Sequence, residues 1–72
     1  MAVNYAYNWA QIDLETNMCI EVRTTSDPNF GVNRPDYVQI PVYDEEYVFK
    51  YYINGNWYED ADGTIPWSSS LL

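Results

Sequence analysis

The dipeptide Asn54-Gly55 is the sequence feature that most restricts how this chain can fold. It lies between two aromatic-rich segments, 47–53 and 56–60. A two-residue type I′ turn needs positive φ at both central positions, and Asn and Gly adopt that conformation at little cost. The length of the turn also sets the register of the hairpin. The expected cross-strand pairs are Tyr52 with Trp57, Tyr51 with Tyr58, and Lys50 with Glu59.

Alternation along this hairpin separates two faces. We assign one of them to the core, namely the face with Phe49, Tyr51, Ile53 and Tyr58. The opposite face is then the outer one, and it carries Val48, Lys50, Tyr52, Trp57 and Glu59.

The first third of the chain predicts a second hairpin. Residues 3–13 alternate, with Val3, Tyr5, Tyr7 and Trp9 on one face. A turn at residues 14–17 follows, and residues 18–25 form the return strand. On that strand Met18, Ile20, Val22 and Thr24 are expected to face one way, and Cys19, Glu21, Arg23 and Thr25 the other. Such a contrast is typical of an antiparallel sheet with one solvated face.

Residues 26–36 have the composition of a long loop. Phe30 in its middle either pins the loop to the core, which we favour, or faces outward. A third strand is predicted over 37–43, at a sheet edge or bulged, because Pro41 has no N–H to donate. Asp44 either caps a short helical turn or begins a charged loop. Residues 64–67 add a short edge piece.

These elements predict a mainly β fold. We expect a small antiparallel sheet of about five strands built from hairpins, with a short helical turn near 44–47 as an option. Residues 1–67 form one small β domain, and 68–72 form a flexible C-terminal tail that ends in two apolar residues. The chain has 72 residues, one cysteine and no histidine, so neither a disulfide nor a zinc site can reinforce the fold. Burial of its many aromatic rings, or oligomerisation, must compensate.

The formal net charge is −8, from eleven acidic and three basic residues. This balance argues against nucleic acid and anionic membranes as partners and suits a basic protein, although it also serves solubility alone. The sequence contains neither a secretory signal nor a stretch of apolar residues long enough to span a bilayer. We therefore expect a cytosolic protein.

No catalytic set emerges, and we expect a non-enzymatic protein without cofactor or metal. Histidine is absent, so Cys19 has no imidazole to activate it, and burial in a strand is the simpler interpretation. The segment Asp60-Ala61-Asp62-Gly63 resembles part of a calcium loop. It lacks the preceding ligand and the later glutamate, which favours a simple turn.

Two groups of residues are candidates for binding. On the outer face, aromatic rings and amides could contact a glycan, unless these rings are core or a contact between subunits: Tyr52, Asn54, Asn56 and Trp57. Two acidic clusters could present carboxylates in place of nucleic-acid phosphates, or could simply be solvated: Asp44, Glu45 and Glu46, and Glu59, Asp60 and Asp62.

Three segments together resemble short proteins of tailed bacteriophages that are encoded among tail and lysis genes. They are Tyr5-Ala6-Tyr7, residues 13–20, and the run from Pro41 to Tyr58. The resemblance implies a phage-type accessory protein, made in the host cytoplasm and, in one alternative, incorporated into the virion. It carries no activity and no functional residue over to this chain.

Three functional hypotheses follow. The first is an oligomeric, virion- or tail-associated protein that acts by self-association or by binding a virion protein. The second is an anti-defence protein, which binds a host immune protein by acidic mimicry or sequesters a signalling ligand. An anionic ligand would require Arg23, Arg34 and Lys50 to converge on it. The third is a carbohydrate-binding module that uses Trp57 and Tyr52.

Overall fold

A computed structural model of the protein describes residues 7–72. Its strands are β1 (Tyr7–Ile12), β2 (Cys19–Thr25), β3 (Tyr37–Ile40), β4 (Tyr51–Ile53) and β5 (Asn56–Tyr58), and a 3₁₀ turn covers Glu45–Tyr47. All strand pairs are antiparallel. The predicted mainly β fold is confirmed, and so is the helical turn after Asp44.

The first sheet has the strand order β2-β1-β3. β1 and β2 form the predicted hairpin, and its turn is closed by the N–H of Asn17, which donates to the carbonyl of Asp13 at 2.7 Å. The predicted beginning of β1 at Val3 lies outside the described residues. β3 pairs with β1 and ends at Ile40, directly before Pro41, as expected of an edge strand.

The second sheet consists of β4 and β5 and joins the first through one backbone junction. The N–H of Cys19 donates to the carbonyl of Lys50, and the carbonyl of Cys19 accepts from Phe49, both at 2.8 Å. The N–H of Tyr52 donates to the carbonyl of Asn17 at 2.8 Å. The predicted edge piece is present beyond β5, where Tyr58 and Pro66 form a bridge.

β1 is covered on both faces. On one face a buried cluster forms the core, and its members are Ala10, Ile12, Cys19, Ile40 and Tyr47. On the other face the indole of Trp9 lies under the loop 26–36, where its ring centroid is 6.3 Å from that of Phe30. Phe30 therefore pins this loop, as predicted. The indole N–H of Trp9 is buried and finds no hydrogen-bond partner among the described residues.

A β-bulge changes the predicted faces of β2. The register runs from Gln11 opposite Glu21 to Ile12 opposite Cys19, so that Ile20 is an extra residue on β2. As a result Cys19 turns into the core and Ile20 is 47% exposed. The face that regular alternation assigned to Ile20 together with Val22 is therefore wrong, whereas the expected burial of Cys19 is confirmed. Regular alternation cannot reveal a bulge, because one extra residue inverts every face beyond it.

The hairpin of β4 and β5 has the predicted turn and register. Asn54 and Gly55 have φ of 51° and 84°, and the ladder pairs Tyr52 with Trp57 and Tyr51 with Tyr58. The pair of Lys50 with Glu59 lies outside the ladder.

The predicted faces of this hairpin are inverted. Tyr52 and Trp57 pack against the buried cluster, whereas Phe49, expected in the core, is 68% exposed. The cause is a stack of rings that are remote in sequence. The ring centroid of Tyr47 lies 4.9 Å from that of Trp57 and 4.8 Å from that of Trp67, both in edge-to-face geometry.

The C-terminal segment 68–72, expected to be a flexible tail, is anchored at Ser69. This residue is buried, and its hydroxyl donates to the Asp44 carboxylate at 2.5 Å. Asp44 also caps the 3₁₀ turn by accepting from the N–H of Glu46 at 2.9 Å. One carboxylate thus connects the 3₁₀ turn to the end of the chain.

The buried thiol of Cys19 should make the protein less stable at alkaline pH. Burial raises its pKa from 9.0 to about 11. Between these values the unfolded chain releases the proton and the folded chain keeps it, so the free energy of unfolding falls as pH rises. Urea midpoints measured at pH 7, 9 and 10.5 should decrease in that order. Cys19→Ala should lower stability at pH 7 but show a flatter alkaline decline, and an equally steep decline would contradict this account.

Candidate interaction surface

The first sheet has two edge strands, β2 and β3, and β2 is the longer of them. One side of β2 pairs with β1, and on the other side the junction with the second sheet ends at Cys19. Within residues 7–72, residues 20–25 make no backbone hydrogen bond on that outer side. Their sequence, IEVRTT, contains neither proline nor lysine, and the features that limit pairing here are the bulge at Ile20 and the charges of Glu21 and Arg23. We call residues 20–25 the open edge.

Phe49 marks the place where the covered part of the β2 edge ends. The N–H of Lys50 donates to the carbonyl of Tyr47 at 2.9 Å, and Val48 has φ −61° and ψ 131°. Phe49 follows with φ 76°. These values describe a type II turn whose third position needs positive φ and is usually glycine. The two hydrogen bonds of Cys19 to Phe49 and Lys50 complete a bulge of the kind that also favours glycine there.

Within the domain, the contacts of the Phe49 side chain do not offset the energetic cost of this backbone conformation. A left-handed conformation costs a residue with a Cβ roughly 1–2 kcal/mol, and a ring that is mostly exposed gains little from burial. Ile20, also exposed, follows Cys19 directly at the beginning of the open edge. An exposed aromatic ring held in a costly conformation beside an unpaired strand is therefore a feature that suits contact with another molecule.

Phe49→Gly should stabilise the isolated domain by about 1 kcal/mol, because glycine adopts positive φ without strain. Phe49→Ala is the matched control, since it removes the ring but keeps a Cβ in the left-handed region. Chemical denaturation should give a higher midpoint for the glycine variant and no gain for the alanine variant. Equal midpoints for the two variants would show that the turn is unstrained.

The open edge carries one charge of each sign. Glu21 lies opposite Gln11 and Arg23 opposite Trp9, so both side chains are on the Trp9 face of the sheet. They form an ion pair at 2.9 Å. In solvent such a pair contributes about 0–1 kcal/mol to stability. The ion pair is more relevant to binding than to stability, because it gives the unpaired edge of β2 a defined order of charges.

A cationic and aromatic cluster lies next to the open edge on the same face. The guanidinium carbons of Arg23 and Arg34 lie 5.1 and 5.0 Å from the centroid of the Phe30 ring, and Arg34 is 5.8 Å from that of Tyr37. Lys50 is elsewhere, with its Nζ 5.1 Å from the Trp67 ring. The structure thus brings two of the three basic residues together, and not all three.

The two rings predicted for glycan binding are half-buried and lie against the core. Tyr52 and Trp57 pack against the buried cluster, with their centroids 5.0 Å apart. Flat rings bind sugars only when one face is open, and both rings are half-buried, so the glycan site stays a prediction. Asn54 and Asn56 lie at the exposed hairpin tip, where the Asn56 amide donates to the Asn54 carbonyl at 3.3 Å.

The predicted acidic residues separate into structural and solvated groups. Two of them, Asp44 and Asp60, accept hydrogen bonds that fix the loops around them. Asp44 is buried, and its pKa is lowered by the hydrogen bond from Ser69 and next by that from the Glu46 N–H. The Asp60 carboxylate accepts hydrogen bonds from the hydroxyl and the N–H of Thr64 and from the N–H of Ile65. These hydrogen bonds, that of the Thr64 hydroxyl first, lower the pKa of Asp60. The solvated residues are Glu45, Glu46, Glu59 and Asp62.

Asp60 therefore closes a loop instead of presenting a free calcium ligand. Within the described part of the chain, no group of three or more histidine, cysteine or acidic side chains could hold a metal ion. The surface of residues 7–72 has no ligand-sized cavity. The same residues include no helix long and apolar enough to cross a membrane.

Comparison with known proteins gives no relative to argue from. No protein family, curated protein or solved structure matches this chain.

The open edge was not among the residues that sequence reasoning selected. A run of β-favouring residues without proline was the available signal, but only the topology reveals that its outer side is unpaired.

Proposed function

We propose that this domain is a non-enzymatic binding protein that takes up a strand from a protein partner at the open edge of β2. The observation that carries the proposal is the open edge ending at Phe49, an exposed ring held in a strained turn. In strand addition, main-chain hydrogen bonds supply affinity, and neighbouring side chains supply specificity.

The residues around the open edge suit this mode of binding. An added strand would pair with the free N–H and C=O groups of residues 20–25. Phe49 and Ile20 would supply apolar contacts at one end, and exposed aromatic rings are common anchors at protein interfaces. Glu21 and Arg23 would select a strand with matching charges.

The setting we propose is a tailed-phage particle or its assembly, which is what the resemblance implies. A small sheet with an open edge suits a component that becomes ordered within a larger assembly. The test is mass spectrometry of particles purified from cells that produce the phage carrying this gene. We expect the protein in stoichiometric amounts, and its absence from purified particles would overturn the virion assignment.

The binding mode is tested by photo-crosslinking in the producing cell. A photoreactive amino acid replaces Thr24 on the open edge or, as the control, Asn56 at the exposed hairpin tip. We expect a defined protein adduct, either another protein or a second copy, from position 24 and none from position 56. Equal adduct yields at the two positions would overturn strand addition at β2.

A second function is favoured by one observation, the pair of arginines around Phe30. A protein that counters host defence by sequestering an anionic signalling ligand needs cations beside an aromatic ring that can stack on a base. Titration calorimetry with a nucleoside triphosphate is the test. Binding should be lost in Arg34→Ala and kept in Lys50→Ala, since Lys50 lies outside the cluster. No heat of binding to the wild-type protein would exclude this function.

A further inference from the structure

We infer that the strand taken up at the open edge is β2 of a second copy of this chain, so that the domain forms a two-fold symmetric dimer. This inference rests on the proposed function and names its partner. The order of charges along β2 is self-complementary, although the whole chain carries a net charge of −8. In an isologous interface each contact is made twice.

The register of this pairing follows from the faces and the charges. A two-fold axis perpendicular to the sheet keeps the Trp9 face of both copies on one side, so the axis must pass through a residue. If it passes through Val22, Glu21 of each copy lies opposite Arg23 of the other. An axis at Glu21 or at Arg23 would place like charges opposite each other, which is unfavourable. Among the axes at residues 21, 22 and 23, the axis at Val22 is therefore selected.

The remaining contacts agree with this register. Ile20 of each copy faces Thr24 of the other, and Val22 faces its own symmetry mate, which is a favourable pair of β-branched residues. Arg23 contacts Glu21 of its own strand through Nε and one Nη, and a guanidinium has further N–H donors for the second copy. The existing ion pair thus becomes a cluster of four alternating charges.

Phe49 gains a role in the dimer. It lies beside Cys19, where the covered part of the β2 edge ends, so it adjoins the end of β2 of the second copy. Its strained turn directs the chain that precedes β4 away from residues 20–25, and it places an aromatic ring next to the incoming strand. The interface is small, so we expect dissociation in the micromolar range.

The test is sedimentation equilibrium of the full chain from roughly 10 μM to 1 mM, with charge reversals on the edge. The wild type should be a dimer at the upper concentrations. Glu21→Arg and Arg23→Glu should each be monomeric, because each places like charges across the axis. An equimolar mixture of the two variants should form a heterodimer, because both opposing pairs across the axis then become attractive. Glu59→Arg has the same charge change as Glu21→Arg away from the edge, and it should dimerise like the wild type.

Two further measurements keep the inference testable if a reversal perturbs the fold. Hydrogen exchange of the wild-type amides in 20–25 should slow at high concentration. Phe49→Gly should weaken the dimer while stabilising the monomer, so the two effects have opposite signs. A wild type that stays monomeric at ~1 mM would overturn the second copy as partner. A crosslink from position 24 to a different protein would then still support strand addition, whereas the absence of any crosslink would overturn both proposals.

Discussion

Replacing Tyr47 by alanine should lower the free energy of unfolding by about 3–5 kcal/mol. The ring is 2% exposed and belongs to the cluster that includes Cys19 and Ile40. It also makes edge-to-face contacts with Trp57 and Trp67, which hold the second sheet and the C-terminal segment against the first. Domains of this length have free energies of unfolding of roughly 4–11 kcal/mol. This single substitution should therefore remove a large part of the stability of the domain.

Urea denaturation followed by circular dichroism and by tryptophan fluorescence measures this loss. Tyr47→Phe is the matched control, because it keeps the ring and its stacking, and we expect it to stay close to the wild type. Tyr43→Ala removes an exposed tyrosine and should also have little effect. If Tyr47→Ala lost less than about 1 kcal/mol, the ring stack would not be the centre of the core.

Gly31→Ala should destabilise the protein by about 2–3 kcal/mol through steric overlap. A Cβ at Gly31 would lie 2.4 Å from Cζ3 and 2.5 Å from Cε3 of the Trp9 indole. That ring is buried and is packed against Phe30 as well, so it has little room to move. The loop 26–36 would have to lift away from the sheet and would weaken the contacts of Arg23 and Arg34 with Phe30.

Thermal melting of Gly31→Ala measures the effect, and a double-mutant cycle with Trp9→Leu assigns it. If the overlap with the indole is the cause, Gly31→Ala should cost much less in the Trp9→Leu background. Gly55→Ala is a useful contrast, because nothing lies within 4 Å of its Cβ and only its φ of 84° opposes the substitution. Additive losses in the cycle would show that Gly31 is constrained by something other than Trp9.

Local chemistry was enough to predict the two hairpins of this fold, but not the pairing of β3 with β1. Asn54-Gly55 set the register of the second hairpin, and Pro41 identified an edge strand. The inner face of that hairpin could not be predicted, because both faces carry aromatic residues. The choice depends on Tyr47 and Trp67, which reach the hairpin from other parts of the chain.

The candidate surface was harder to predict than the fold. Nothing in the local sequence marks Phe49 as a residue with positive φ, since glycine or asparagine is the usual signal. The bulge at Ile20 and the contact of Ser69 with Asp44 also depend on tertiary structure. Consequently Tyr52 and Trp57 were chosen for their chemistry, although the structure uses them for packing.

The single junction between the two sheets has a consequence for the order of folding. Each hairpin joins residues that are close in sequence, whereas the junction pairs Cys19 with Phe49 and Lys50. Because local contacts close faster than distant ones, we expect docking of the two preformed hairpins to limit the folding rate. If the turn at Phe49 forms only after this barrier, the stability gained in Phe49→Gly should appear as slower unfolding, with refolding unchanged. Stopped-flow kinetics of that one variant would therefore show whether the turn at Phe49 forms before or after the rate-limiting docking of the two hairpins.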